Sequence, residues 1–188
     1  MNLLYLTISQ LGYNIYNSED TWNGLTVAYN VKWPVNLFLS SQVMEKYSNI
    51  FRFLFPIRII QTELHHTWLH LVKKNKNNQF DRIYVKLLHL RNKMSFFIDN
   101  LWSYFHLDVL GAQWAKLEEF ISQAKDFDEM RKVHEMYLTS ISSQTFLNFP
   151  KMVKGIYLIV KYCKKLVDLV ARFEIIYFQN ILSKLELK

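Results

Sequence analysis

From Lys151 onward the apolar residues Met152, Ile156, Ile159, Cys163, Leu166, Val170, Phe173 and Tyr177 fall on one side of a helical projection. Lys151, Lys154, Lys161, Lys165 and Arg172 fall roughly opposite. A stripe of that length is costly to leave in water, so the chain has to supply other apolar faces to cover it. Only four Gly and three Pro occur in 188 residues, which leaves little turn chemistry for a sheet sandwich and much room for long helices. The expected class is all-α: a bundle of about five long helices with short connections.

Those helices can be read in order. A strand-like lead-in comes first, near 25–33, where Leu25, Val27, Tyr29, Val31 and Trp33 alternate with more polar neighbours until Pro34 ends the pattern. Ser40 or Ser41 then caps a helix carrying Val43, Tyr47, Ile50, Leu54, Ile57, Leu64, Trp68 and Leu71 to about Lys73, with a kink expected at Pro56. Lys73 to Gln79 reads as a solvent loop.

A second helix, about Asp81 to Leu107, places Leu87, Leu90, Met94, Ile98, Leu101 and Phe105 on one stripe, and Gly111 loosens the chain before a shorter helix with Trp114 and Leu117. Asp126 and Glu129 have capping-box spacing and start a helix to about Leu147. Pro150 suits the first turn of the last helix. No fixed-period repeat or low-complexity tract appears. With 51% apolar and 16% aromatic residues, the chain is expected to be ordered.

Several functions are disfavoured at this stage. The single cysteine, Cys163, cannot form an internal disulfide and lies in an apolar stripe, where it acts as a small hydrophobe; the chain reads as reduced and intracellular. Residues 1–11 are apolar but lack a basic leader and a small-residue cleavage site, and no run reaches the roughly 18 apolar residues that span a bilayer. With glycine only at 12, 24, 111 and 155, neither a P-loop nor a dinucleotide fingerprint can be written. Glu63, His66 and His70 share a helix face on which two imidazoles could ligate a metal, but the order is not that of a metalloprotease and His89, His106 and His134 have no reason to converge. The expectation is no catalysis, no cofactor and no metal.

The net charge of +7 permits an acidic partner without choosing among protein, lipid and nucleic acid. The basic face of the last helix is ordinarily a solvated surface, with an acidic partner as the sharper reading. Phe53 and Phe55 sit beside the main stripe of their helix, which implies a wide buried face or an interface.

A run of motifs carries a resemblance. Tyr29-Asn30-Val31-Lys32-Trp33-Pro34-Val35-Asn36-Leu37 is followed by Glu45-Lys46-Tyr47, Phe51-Arg52-Phe53-Leu54 and Arg58, then by Gln61-Thr62-Glu63-Leu64-His65-His66-Thr67-Trp68. Leu90-Arg91-Asn92-Lys93-Met94, Phe97-Ile98-Asp99-Asn100-Leu101, Asp108-Val109-Leu110 and Asp126-Phe127 come next, with His134 and Tyr137-Leu138 after them. In order and spacing these blocks resemble the C-terminal domain of the gamma-tubulin complex proteins. The resemblance runs over about Trp22 to Val170 and corresponds to the later part of that domain, so residues 1–21 read as a lead-in and the chain as part of a longer protein. It departs from the family pattern at Pro56 and between Lys73 and Gln79.

What the resemblance implies is a non-enzymatic scaffold that binds gamma-tubulin and other complex components. Such a scaffold supports microtubule nucleation at a microtubule-organising centre, either centrosome or spindle pole, in the cytoplasm and cytoskeleton. It implies no small-molecule substrate, no direct nucleic acid and no membrane span. Polar positions within the matching blocks, Arg52, Arg58, Arg91, Asn92, Asp99 and Asp108, become candidate contacts or buried anchors. Lys154, Lys161 and Lys165 form a second candidate surface. The alternative is a basic helical protein that binds an anionic membrane surface or nucleic acid.

Overall fold

The structure is a computed structural model that describes the backbone of residues 4–8, 25–29, 33–74 and 82–186, and the side chains of 33–71 and 84–172. Strand β1 (Leu4–Ile8) pairs antiparallel with β2 (Leu25–Tyr29), Leu4 opposite Tyr29 and Ile8 opposite Leu25. Thus β2 takes up the first part of the expected lead-in, while residues 30–32 lie outside the described ones. A cis Trp33–Pro34 peptide and a short 3-10 turn, Val35–Leu37, lead into the helices.

Five α-helices follow: α1 (Ser41–Lys74), α2 (Arg82–Ser103), α3 (Ala112–Gln123), α4 (Phe127–Gln144) and α5 (Pro150–Glu186). The class is all-α with two short strands, and the helix limits agree with the apolar periodicity to within a few residues. Most of the Lys73 to Gln79 loop and the expected start at Asp81 lie outside the described residues.

Two features differ from the sequence reading. Gly111 does not interrupt the chain: α2 passes into a π-helical segment, Tyr104–Gly111, and on into α3, with the Ala112 amide bonded to the Leu107 carbonyl. Gly111 itself has helical angles, and a Cβ there would come within 3.3 Å of the His106 carbonyl, so the wider π turn accepts glycine because of close backbone approach. On α5, Ile156, Cys163, Leu166 and Val170 are buried as expected, but Met152 and Ile159 are exposed. The side chains of Phe173 and Tyr177 lie outside the described ones.

Pro56 sits inside α1, buried, in a helix that continues for eighteen residues beyond it. It also marks a division of the chain into two compact units, Met1–Pro56 with Trp102–Gly155, and Ile57–Leu101 with Ile156–Lys188.

In the first unit Phe53 meets Phe105 edge to face at 5.5 Å, and Val109, Leu138 and Ile141 are also buried, so the off-stripe Phe53 widens a buried face. Local signals set the ends of α4. The Glu129 amide donates to Asp126 Oδ1 at 2.7 Å, and Glu129 Oε2 accepts from the Lys125 amide at 2.9 Å, one residue ahead of the usual capping-box donor. At its far end Phe146 takes a left-handed φ of 63°, and the Leu147 amide reaches back to the Ser142 carbonyl in a Schellman turn.

In the second unit Ile57, Ile60, Leu64 and Leu71 of α1, Ile98 of α2 and the buried stripe of α5 form the core.

Candidate functional site

The candidate residues separate into those that hold the fold and those that face solvent. Arg91, on α2, is buried at 8% exposure. Its Nε and Nη2 donate to the Leu64 carbonyl of α1 at 2.9 and 2.8 Å, its Nη1 donates to Asn92 Oδ1 at 3.2 Å, and the guanidinium lies 5.4 Å from the Trp68 ring centroid. Burial lowers its pKa, with Asp99 acting in the opposite direction. Since its described donors go to the chain's own groups, Arg91 works as a tie between α1 and α2.

Just over two turns further along α2, Asp99 accepts from Gln61 Nε2 at 2.7 Å and Ser95 Oγ at 2.9 Å, and pairs with His65 Nε2 at 3.2 Å. Burial raises the Asp99 pKa, but the hydrogen bonds from Gln61, Ser95 and His65 outweigh it and hold the carboxyl below its ordinary value. Arg58 joins the network by donating to Gln61 Oε1 at 2.5 Å. Arg52, in the first unit, donates to the Ser48 carbonyl and to Asn49 Oδ1 within its own helix.

Next to the Arg91 tie is an open groove of about 370 Å³ between α1 and α2, walled by His65, Trp68, Leu69 and Asn92. Glu63, His66 and His70 share the lining of a smaller cavity of about 160 Å³, where Glu63 Oε1 accepts from Lys164 Nζ of α5 at 2.9 Å. Among the described residues no group of three or more His, Cys, Asp or Glu is arranged to hold a metal ion. Cys163 is fully buried, and burial pushes its thiol up to about 11, so its thiolate population is small near neutral pH.

Asp108, Lys154, Lys161 and Lys165 are exposed, which leaves them accessible to a partner. Leu158, Tyr162 and Leu169, about half exposed on the same side of α5 as Lys161 and Lys165, were not singled out from sequence. Their four- and seven-residue spacing was the available signal. It was masked by the stronger inward stripe of the same helix.

Residues 5–183 match the model of the family described as gamma tubulin complex component C-terminal. The chain belongs to the gamma-tubulin complex component family. It is 33% identical over 153 residues to human Gamma-tubulin complex component 4, covering 80% of this chain and 22% of that protein. It is 30% identical over 162 residues to the Medicago truncatula Gamma-tubulin complex component 4 homolog, 78% of this chain and 22% of that one. Spindle pole body component 98 of Dictyostelium discoideum is 30% identical over 131 residues, 68% of this chain and 16% of that protein. Within the family, Leu90-Arg91-Asn92, Val109-Leu110 and Asp126-Phe127 resemble the component 4 branch, in agreement with these relatives. The chain spans about a fifth of the length of the component 4 relatives it matches.

Proposed function

We propose that this chain is a gamma-tubulin-binding scaffold element of the gamma-tubulin complex, without enzymatic activity, supporting microtubule nucleation at a microtubule-organising centre. The observation that carries the reading is the family match over residues 5–183. The names of its relatives, gamma-tubulin complex and spindle pole body components, support partnership with further complex subunits and a cytoskeletal location. Templating of this kind needs no chemistry in the scaffold: holding several tubulin-type subunits at fixed spacing raises their effective concentration for one another. In that division of labour the nucleotide chemistry belongs to the tubulin.

The structure bears on the membrane alternative. Among the described residues no helix is long and apolar enough to cross a membrane, and Ile156, Cys163, Leu166 and Val170 of α5 are buried in its own unit.

The test is a pull-down of purified gamma-tubulin by the folded 188-residue chain at moderate salt. Stoichiometric retention is expected. A chain that is helical by circular dichroism yet retains no gamma-tubulin would overturn the reading.

A further inference from the structure

The chain passes between its two compact units three times: after Pro56, after Leu101 and after Gly155. Each passage falls inside a continuous helix, α1, α2 and α5 in turn. An α-helix is stiff because bending it stretches the bonds that run from each amide to the carbonyl four residues back. A helical passage therefore normally transmits orientation.

Here each passage carries a feature that lowers the cost of bending. At the first, Pro56 has no amide to return to the Arg52 carbonyl, so α1 lacks one bond of its ladder where the units part. At the second, α2 gives way two residues beyond the passage to the π-helical segment Tyr104–Gly111, which is wound more widely than an α-helix. At the third, Gly155 is the last residue of its unit. Among the described residues no glycine has a positive φ, and a Cβ at position 155 would meet nothing within 4 Å. Neither backbone conformation nor crowding calls for glycine there, and its effect within a helix is a looser backbone. Elsewhere the interiors of the five α-helices hold neither Pro nor Gly. Three different ways of softening a helix thus coincide with the three passages.

We propose that Pro56, the π segment Tyr104–Gly111 and Gly155 form a hinge about which the unit of Ile57–Leu101 and Ile156–Lys188 turns as a body relative to the other. A hinge of this kind concentrates the backbone change in a few residues and leaves the packed cores intact. A partner that touches both units selects one angle from the range, and its apparent affinity falls with the fraction of molecules that hold other angles. The hinge is a property of this chain and stands independently of the proposed function.

Pulsed electron paramagnetic resonance between spin labels tests it. Cysteines are introduced in pairs at exposed lysines: K93C/K116C spans the two units, K116C/K132C lies within the first and K93C/K165C within the second. Cys163 is fully buried and stays unlabelled. In the otherwise wild-type chain the spanning pair is expected to give a distance distribution at least about twice as wide as either pair within a unit. Adding P56A/G155A restores an amide donor and supplies a Cβ with room around it. It is expected to narrow the spanning distribution to about the width found within a unit, while the other two pairs stay unchanged. Should circular dichroism show that the double variant is unfolded, G155A alone is expected to narrow the spanning distribution in part. A spanning distribution as narrow as those within the units would overturn the hinge. So would a wide one that the folded variants leave unchanged, because the motion would then lie elsewhere in the chain.

Discussion

The guanidinium of Arg91 grips the backbone carbonyl of Leu64 with two donors, Nε at 2.9 Å and Nη2 at 2.8 Å, across 27 positions of sequence. One arginine on α2 thereby reaches a carbonyl in the middle of α1 and lies over the Trp68 ring as it does so. Lysine can supply neither the second parallel donor nor the flat face. Arg91→Lys is therefore expected to lower stability by about 1–3 kcal/mol, read as a shift in the urea midpoint without a change in slope. An unchanged midpoint would show that the tie contributes nothing.

His134 supplies a pH dependence. Its ring is 4.4 Å from that of Phe38, and its Nε2 is 2.8 Å from the Tyr47 hydroxyl. Burial lowers its pKa below the ordinary 6.5, Glu135 opposes that and Lys46 adds to it. A depressed folded value means that the unfolded chain takes up the proton first as pH falls. The stability due to neutral His134 is thus fully present above about pH 6.5 and is lost as pH falls towards the folded value. The thermal midpoint of the wild type should fall between pH 7.5 and 5, and that of His134→Gln should fall less over the same interval. Parallel curves would assign the pH dependence to other groups.

Phe146 stores conformational energy at the end of α4. A left-handed backbone costs a side-chain-bearing residue about 1–2 kcal/mol, and this one is held because its ring packs 6.0 Å from Tyr104 and 6.2 Å from Phe105. Phe146→Ala loses the ring and keeps the strain, whereas Phe146→Gly loses both. The glycine variant is expected to be the more stable of the two by about 1 kcal/mol in chemical denaturation. The reverse order would mean that the turn is not strained.

Cys163 reports on opening of its unit. With its thiol buried and its pKa pushed up to about 11, it is expected to be inert to a disulfide reagent at pH 8 in the folded chain and to react at once in denaturant. Fast reaction under native conditions would place the thiol at the surface.

Local chemistry was readable from sequence and pairing between distant residues was not. The Asp126–Glu129 cap, Pro150 at a helix start and the buried stripe of α5 each depend on residues within a few positions of one another. The role of Arg91 depends on which carbonyl of α1 lies beside it, and nothing in the residues near Arg91 specifies Leu64. The same holds for Asp99 and Gln61, 38 positions apart. The π segment was hidden because Gly111 normally signals a break, and here it relieves a contact with the His106 carbonyl inside a continuous helix. Phe146 was hidden because its position favours glycine. Exposure of Met152 and Ile159 shows where the inward stripe of α5 narrows.

The central claim is direct binding of gamma-tubulin, and sedimentation velocity of the two purified proteins tests it with least intervention. The account predicts a single faster boundary containing both chains at micromolar concentration, weakening as salt is raised. Two independent boundaries, with the 188-residue chain folded, would contradict it.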